Sequence, residues 1–308
     1  MVAVSCSYMW VATVPALVVV RIVHGAAFVL LTSGAIALVV NFIPGEKSGQ
    51  AFSVIGIATM IPYAVIPPLA EAIHPLVRND ADIYAGVSIF AAGAILLLAA
   101  LSGRIGKALR GMDGVLLRRP SFAEIRENLR LRAVGLLLGT GLLLYLAHAT
   151  LFYFLKDLSL RTGGGGVGLF FTLSIVAMIA VRAFGGRLLD KMNKLIALQI
   201  GLLFLIPCFI ALPHAAAPTA FYLLACVYGL SLGVSLPLLT ALLFSASPPQ
   251  LRGLNTNLNL FTLDMAYFLM PYLCGMLIAL GAGFEVLFYN AAGVVLLSLV
   301  LIMTVARR

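Results

Sequence analysis

Four side chains stand out because each can carry charge inside an apolar run: Arg21, His24, His148 and Asp264. An ionisable group in such a setting is costly in lipid and therefore marks a route for ions or polar solutes. Arg21 and His24 are spaced i, i+3, so on a helix they share a face. His148 lies in LLLYLAHATLFYF, and an imidazole suits proton exchange near neutral pH. Asp264, in NLFTLDMAYFL, is the one acid deep within an apolar run of the second half. Plainer roles exist for each. Arg21 can snorkel from a helix end. His24, His148 and Asp264 can be hydrogen-bonded packing residues. Glu71, near the end of its run, can reach interfacial water.

A second concentration of charge occupies RAFGGRLLDKMNK, Arg182 to Lys194. It joins two apolar stretches, so its bland reading is a set of basic anchors at the membrane surface. Chemistry of other kinds finds little support. No paired carboxylates, metal-ligand cluster or nucleophile–base spacing backs a membrane enzyme built on His148 and Asp264. Gly163 to Gly166 lack the basic residue and strand–helix setting of a phosphate cradle and read as a flexible external loop. Cys6, Cys208, Cys226 and Cys274 sit in apolar sequence without CxxC spacing, as small core residues do. No cofactor or metal is implied.

These residues need a scaffold, and composition specifies it. The 308 residues are 62% hydrophobic and 10% charged, against about 25% charged in a soluble domain. Apolar runs near the roughly 20 residues that cross a bilayer recur throughout. They predict spans at roughly 15–40, 50–74, 82–103, 133–156, 165–184, 194–213, 218–245, 255–280 and 282–306. Residues 1–13 make a partial further helix. The predicted class is an all-α membrane protein of about nine full transmembrane helices plus that partial first one. Of the 20 Lys and Arg, all but Arg21, Arg78, Lys156 and Arg161 fall in one alternating set of connections. That set is cytoplasmic by the positive-inside rule, which also places the C-terminus inside. The net charge of +9 therefore reports topology, and no nucleic-acid partner is implied. The connection at 104–132 contains SFAEIRENLRLR, where Ser121 and Glu124 have capping-box spacing. A short amphipathic helix on the cytoplasmic membrane surface, in reach of lipid, is expected there. It divides the chain into 1–103, 104–132 and 133–308.

An internal repeat runs through this arrangement. Gly25, Pro44, Gly49 and Pro67 pair with Gly229, Pro248, Gly253 and Pro271 on one constant offset, as repeats in transporter folds do. On the same offset, the counterparts of Gly186 and of the span starting near 133 fall before Met1. The first bundle is thus expected to lack two and a half helices.

Three stretches resemble the major facilitator superfamily. GGRLLDKMNK is similar to its cytoplasmic signature, with Gly186, Asp190, Lys191 and Lys194 matching and Asn193 where Gly is usual. Asn is tolerated there because it accepts left-handed backbone. RIVHGAAF is similar to its helix-4 motif through Arg21 and Gly25, with His24 where Gln is common. IPPLAEAI falls at the antiporter motif; Pro68 matches, but Pro67, Ala70 and Glu71 replace the glycines. The resemblance implies helix 3 to helix 12 of a twelve-helix fold: an incomplete N-terminal bundle at 1–103 and a six-helix bundle at 133–308, rocking about a central site. It implies a proton-coupled secondary transporter of a small solute of drug, sugar or metabolite type. Arg21, His24, His148 and Asp264 would serve the transport pathway, and Gly186, Asp190, Lys191 and Lys194 would be the conformational signature. A bacterial inner membrane location goes with it. The alternative is a truncated or mis-started fragment that does not transport alone.

Overall fold

The computed structural model describes residues 2–40, 42–43, 45–73, 80–110 and 120–306. Within these, the side chains at 63–73, 80–85 and 186–191, among others, fall outside the description. Every long element is helical: α1 (Val2–Ser7), α2 (Val14–Val40), α3 (Ser48–Ile73), α4 (Asp80–Arg110), α5 (Phe122–Arg130), α6 (Arg132–Thr162), α7 (Val167–Lys191), α8 (Lys194–Ala211), α9 (Pro218–Ala246), α10 (Arg252–Ala279) and α11 (Phe284–Ala306). Among the described residues, seven helices are long and apolar enough to cross a membrane: α2 and α6 to α11. Shorter apolar stretches, Gln50–Pro62 and Ser88–Arg104, occupy α3 and α4.

Local sequence explains where these helices begin and end. Thr13 opens α2: its carbonyl accepts from Leu17 N (3.0 Å) and its Oγ1 from Ala16 N (3.4 Å). Pro218 starts α9 at a position whose N–H has no helical partner anyway. Gly163 ends α6 with φ +73°, a left-handed conformation that favours glycine. Ser159 and Tyr222 then close the four-glycine connection by accepting from the backbone N–H groups of Gly165 (3.3 Å) and Gly166 (3.0 Å). The expected flexible loop is a hydrogen-bonded turn. The capping box of α5 is also present, with Ser121 Oγ accepting from Glu124 N and Glu124 Oε2 from Ser121 N.

The chain forms two compact units. One comprises 1–41 and 65–119, the other 42–64 and 120–308. In the first, α1 touches α2 and α4, and only Val40 of α2 is buried by protein. In the second, α6 packs on α10 and α11, α9 packs on α7 and α8, and α11 joins α8. Small residues set the spacing. Gly229 and Gly233 on α9 face Ser174 and Met178 on α7, so both helices present residues one turn apart. Ser174 Oγ donates across this seam to the Ala225 carbonyl (3.0 Å). Polar ties hold other seams: Ser298 Oγ donates to the Thr140 carbonyl (3.1 Å) between α11 and α6. At the base of the bundle, Asn128 of α5 exchanges side-chain hydrogen bonds with Asn255 of α10 (2.6 and 3.0 Å), and Asn255 also donates to Ser247 (2.7 Å). Helix α5 is therefore bolted to the bundle by its buried Asn128.

A Cβ on Gly229 would lie 2.8 Å from the Ser174 Cα. Gly229→Leu is therefore expected to cost about 1–3 kcal/mol through overpacking, read as a lower thermal midpoint in detergent. Gly25→Ala, where nothing lies within 4 Å of the added carbon, should leave the midpoint unchanged.

Candidate functional site

Arg21 and His24 lie on α2 and do share a face, and their common partner is Tyr8. Its hydroxyl is hydrogen-bonded to His24 Nδ1 (3.1 Å), its ring meets the imidazole edge-on at 5.6 Å, and the Arg21 guanidinium sits 5.3 Å from its centroid. Tyr8 stands in the short 3₁₀ turn Tyr8–Trp10 after α1. Sequence reasoning missed it because nothing local ties residue 8 to residue 24.

His148 is the hub of a second cluster. Its Nδ1 is hydrogen-bonded to the hydroxyl of Tyr228 on α9, and the two rings stack at 6.0 Å. Tyr267 of α10 meets the imidazole edge-on at 5.9 Å, and Phe152 and Tyr153 extend the cluster along α6. Three helices thus converge on one titratable ring. Asp264 lies one turn before Tyr267 on α10. Its side chain is exposed and makes no hydrogen bond or ion pair among the described residues. The structure does not join Asp264 to His148; Tyr267, one turn along α10 from Asp264, is the residue that meets the imidazole.

The stretch that resembles the family signature is described in part. Gly186, Asp190 and Lys191 sit within α7, but their side chains lie outside the described residues, as does that of Glu71. Asn193 does not use left-handed backbone. It is extended (φ −64°, ψ 108°), and its side chain caps α8 by accepting from Leu195 N (3.0 Å) and Ile196 N (3.4 Å). Asparagine is a strong N-cap, so the position that would favour glycine in one geometry works as a cap in another. Lys194 Nζ donates to Ser48 Oγ at the start of α3 (3.0 Å). This contact opens a stripe along α3 at i, i+4 spacing: Ser48 on Lys194, Phe52 against Phe244 (5.7 Å between centroids), Gly56 under Arg182, and Met60 on the bundle core. Arg252 backs the aromatic pair, 4.2 Å from the Phe244 ring.

Arg182 corrects an expectation. Its sequence position places it among the loop cations, yet it is 7% exposed and lies within the apolar span Val167–Gly185. Its Nε has no hydrogen-bond partner, and it interacts electrostatically with Tyr145 of α6. Tyr145 accepts from Asn259 Nδ2 of α10 (3.3 Å), and Asn259 Oδ1 is buried without a partner. No sequence signal marked Tyr145 or Asn259, because neither carries charge.

A family model described as Major Facilitator Superfamily matches residues 1–271. The chain belongs to the major facilitator superfamily. Solved structures agree on the fold, with 26 chains matching. One is the crystal structure of the human organic anion transporter MFSD10 (TETRAN), 21% identical with a TM-score of 0.71 over 98% of this chain and 74% of that one. Among curated proteins, none shows a significant match. This facilitator-superfamily chain is therefore an integral membrane protein with an all-helical transporter fold, and transport implies a small-molecule substrate.

Removing the hydroxyl from the His148 partner tests whether the buried bond supports the bundle. Tyr228→Phe keeps the ring and is expected to cost about 0.6 kcal/mol, and at most about 1.7, the mean and maximum for interhelical hydrogen bonds in membranes, measured by unfolding in detergent.

Proposed function

We propose that the chain is a secondary active transporter that couples proton movement to the passage of a small solute by alternating access. The carrying observation is Asp264: a carboxyl within the apolar span Pro249–Ala279, exposed, with no hydrogen bond or ion pair among the described residues. Such a group is expensive beside lipid but useful beside an aqueous path, where it exchanges protons. His148, in contact with Tyr267 of the same helix as Asp264, is the second exchanging group. Arg21 and His24, held through Tyr8, serve the pathway on α2. The bundles at 1–103 and 133–308 are the rocking bodies, joined by 104–132. The α3 stripe is the cytoplasmic latch, and Gly186, Asp190, Lys191 and Lys194 set its release. The basic connections and the C-terminus face the cytoplasm of a bacterial inner membrane.

Proteoliposomes holding a pH dye test the coupling. In wild type, addition of transported solute from a panel of sugars, amino acids and lipophilic cations and anions should drive proton flux that a protonophore abolishes. Asp264→Asn should lower that flux at least about tenfold, as loss of an essential proton carrier does, with membrane insertion intact. Wild-type accumulation by this variant removes Asp264 from the mechanism. Asp190→Asn should slow turnover more than it weakens solute binding; an unchanged turnover number counts against a latch role.

A further inference from the structure

We infer that Arg182, Tyr145 and Asn259 form a binding site for a small oxyanion, a carboxylate in the first instance, enclosed by the first half of α3. The inference rests on the transporter reading and names the substrate class it would serve.

Burying a guanidinium is costly unless a counter-charge and hydrogen bonds compensate it. Arg182 has neither among the described residues: it makes no ion pair, and its Nε is buried without a partner. Basic anchors keep their heads in interfacial water, whereas this one is enclosed. A planar fork of N–H donors with one edge unused matches the two oxygens of a carboxylate.

The neighbours complete the chemistry. Tyr145 Oη accepts from Asn259 Nδ2 (3.3 Å), so its own proton remains to be donated. It also interacts electrostatically with Arg182, which favours a ligand shared between the two. Asn259, 2% exposed, keeps an unused acceptor in Oδ1, which suits a hydroxyl or N–H elsewhere on the ligand. On α3, Ser53 lies one turn from Gly56, and its Oγ is also buried without a partner. Arg182 thus lies against Gly56 and interacts with Tyr145, Tyr145 is bonded to Asn259, and Ser53 stands one turn from Gly56; among the described residues, Arg182, Asn259 and Ser53 each keep a buried polar atom without a partner.

Gly56 explains how the site is enclosed. The guanidinium packs so closely on its Cα that an added Cβ would collide with Nη1 and lie 2.8 Å from Cζ. A side chain at 56 would fill the space that Arg182 occupies. The flanking contacts of Ser48, Phe52 and Met60 hold this part of α3 over the site.

Equilibrium binding to the purified full chain in nanodiscs is the test, since it needs no gradient. The probes are lactate, benzoate and inorganic phosphate, with lactamide and benzamide as uncharged controls. A carboxylate is expected to raise the thermal midpoint of wild type while its amide does not. Arg182→Gln should weaken its affinity at least about tenfold, as loss of a charged hydrogen-bonded partner does, and Tyr145→Phe severalfold. Should Arg182→Gln fail to fold, Gly56→Ala displaces the guanidinium while retaining it and should also weaken binding. Phosphate binding lost in the same variants supports the oxyanion site with a different occupant. Absence of any anion effect in wild type, equal response to the amides, or unchanged affinity in a folded Arg182→Gln overturns the inference. Proton-coupled flux that persists despite that failure leaves the transporter reading standing. Anion binding without flux would instead overturn that reading and keep the site.

Discussion

Lipid offers no hydrogen bonds, and this constraint organises the molecule. Backbone groups are satisfied by making every span a helix, and side chains must find partners across helix seams or within their own turn. Ser174 on Ala225, Ser298 on Thr140 and the Asn128–Asn255–Ser247 network all do so. Thr140 and Thr150 return their hydroxyls to the preceding turn of α6. Against that background, the groups without partners become informative. Among the described residues, Arg182 Nε and Asn259 Oδ1 are buried without a partner and the Asp264 carboxyl is exposed without one, and all three belong to the unit carrying the six-helix bundle.

Close packing supplies the second requirement. Hydrophobic burial does little to hold one membrane helix to another, so backbone approach and short polar side chains take its place. Gly229 and Gly233 let α9 lie directly on the backbone of α7. Gly56 does the same between α3 and a side chain, admitting an arginine where any Cβ would stand. A glycine thus serves as a packing device at one seam and makes room for a buried arginine at another.

The α3 stripe connects packing to function. Ser48, Phe52, Gly56 and Met60 repeat every fourth residue, so they form one ridge on one helix face. The ridge ends at Lys194, within the signature-like stretch, and passes over Arg182. The ridge therefore touches the charged stretch between Arg182 and Lys194 at both of its ends.

Much of this protein is legible in its sequence. Apolar run length, the bias of Lys and Arg to alternate connections, and the GxxxD signature with its flanking bases depend only on local spacing, so they specify a helical membrane transporter fold without any tertiary information. The capping box at Ser121 and Glu124 is local for the same reason. What the tertiary structure decided is which polar residues share an environment. Tyr8 joins His24, Tyr228 joins His148, and Asn259 joins Tyr145 across 114 positions. Arg182 looks like one more loop cation until α3 covers it, because burial is a property of the neighbours and those neighbours are distant in sequence. Asn193 shows the same limit at short range: its residue type suits either a left-handed turn or a helix cap, and only the path of the chain into α8 selects between them.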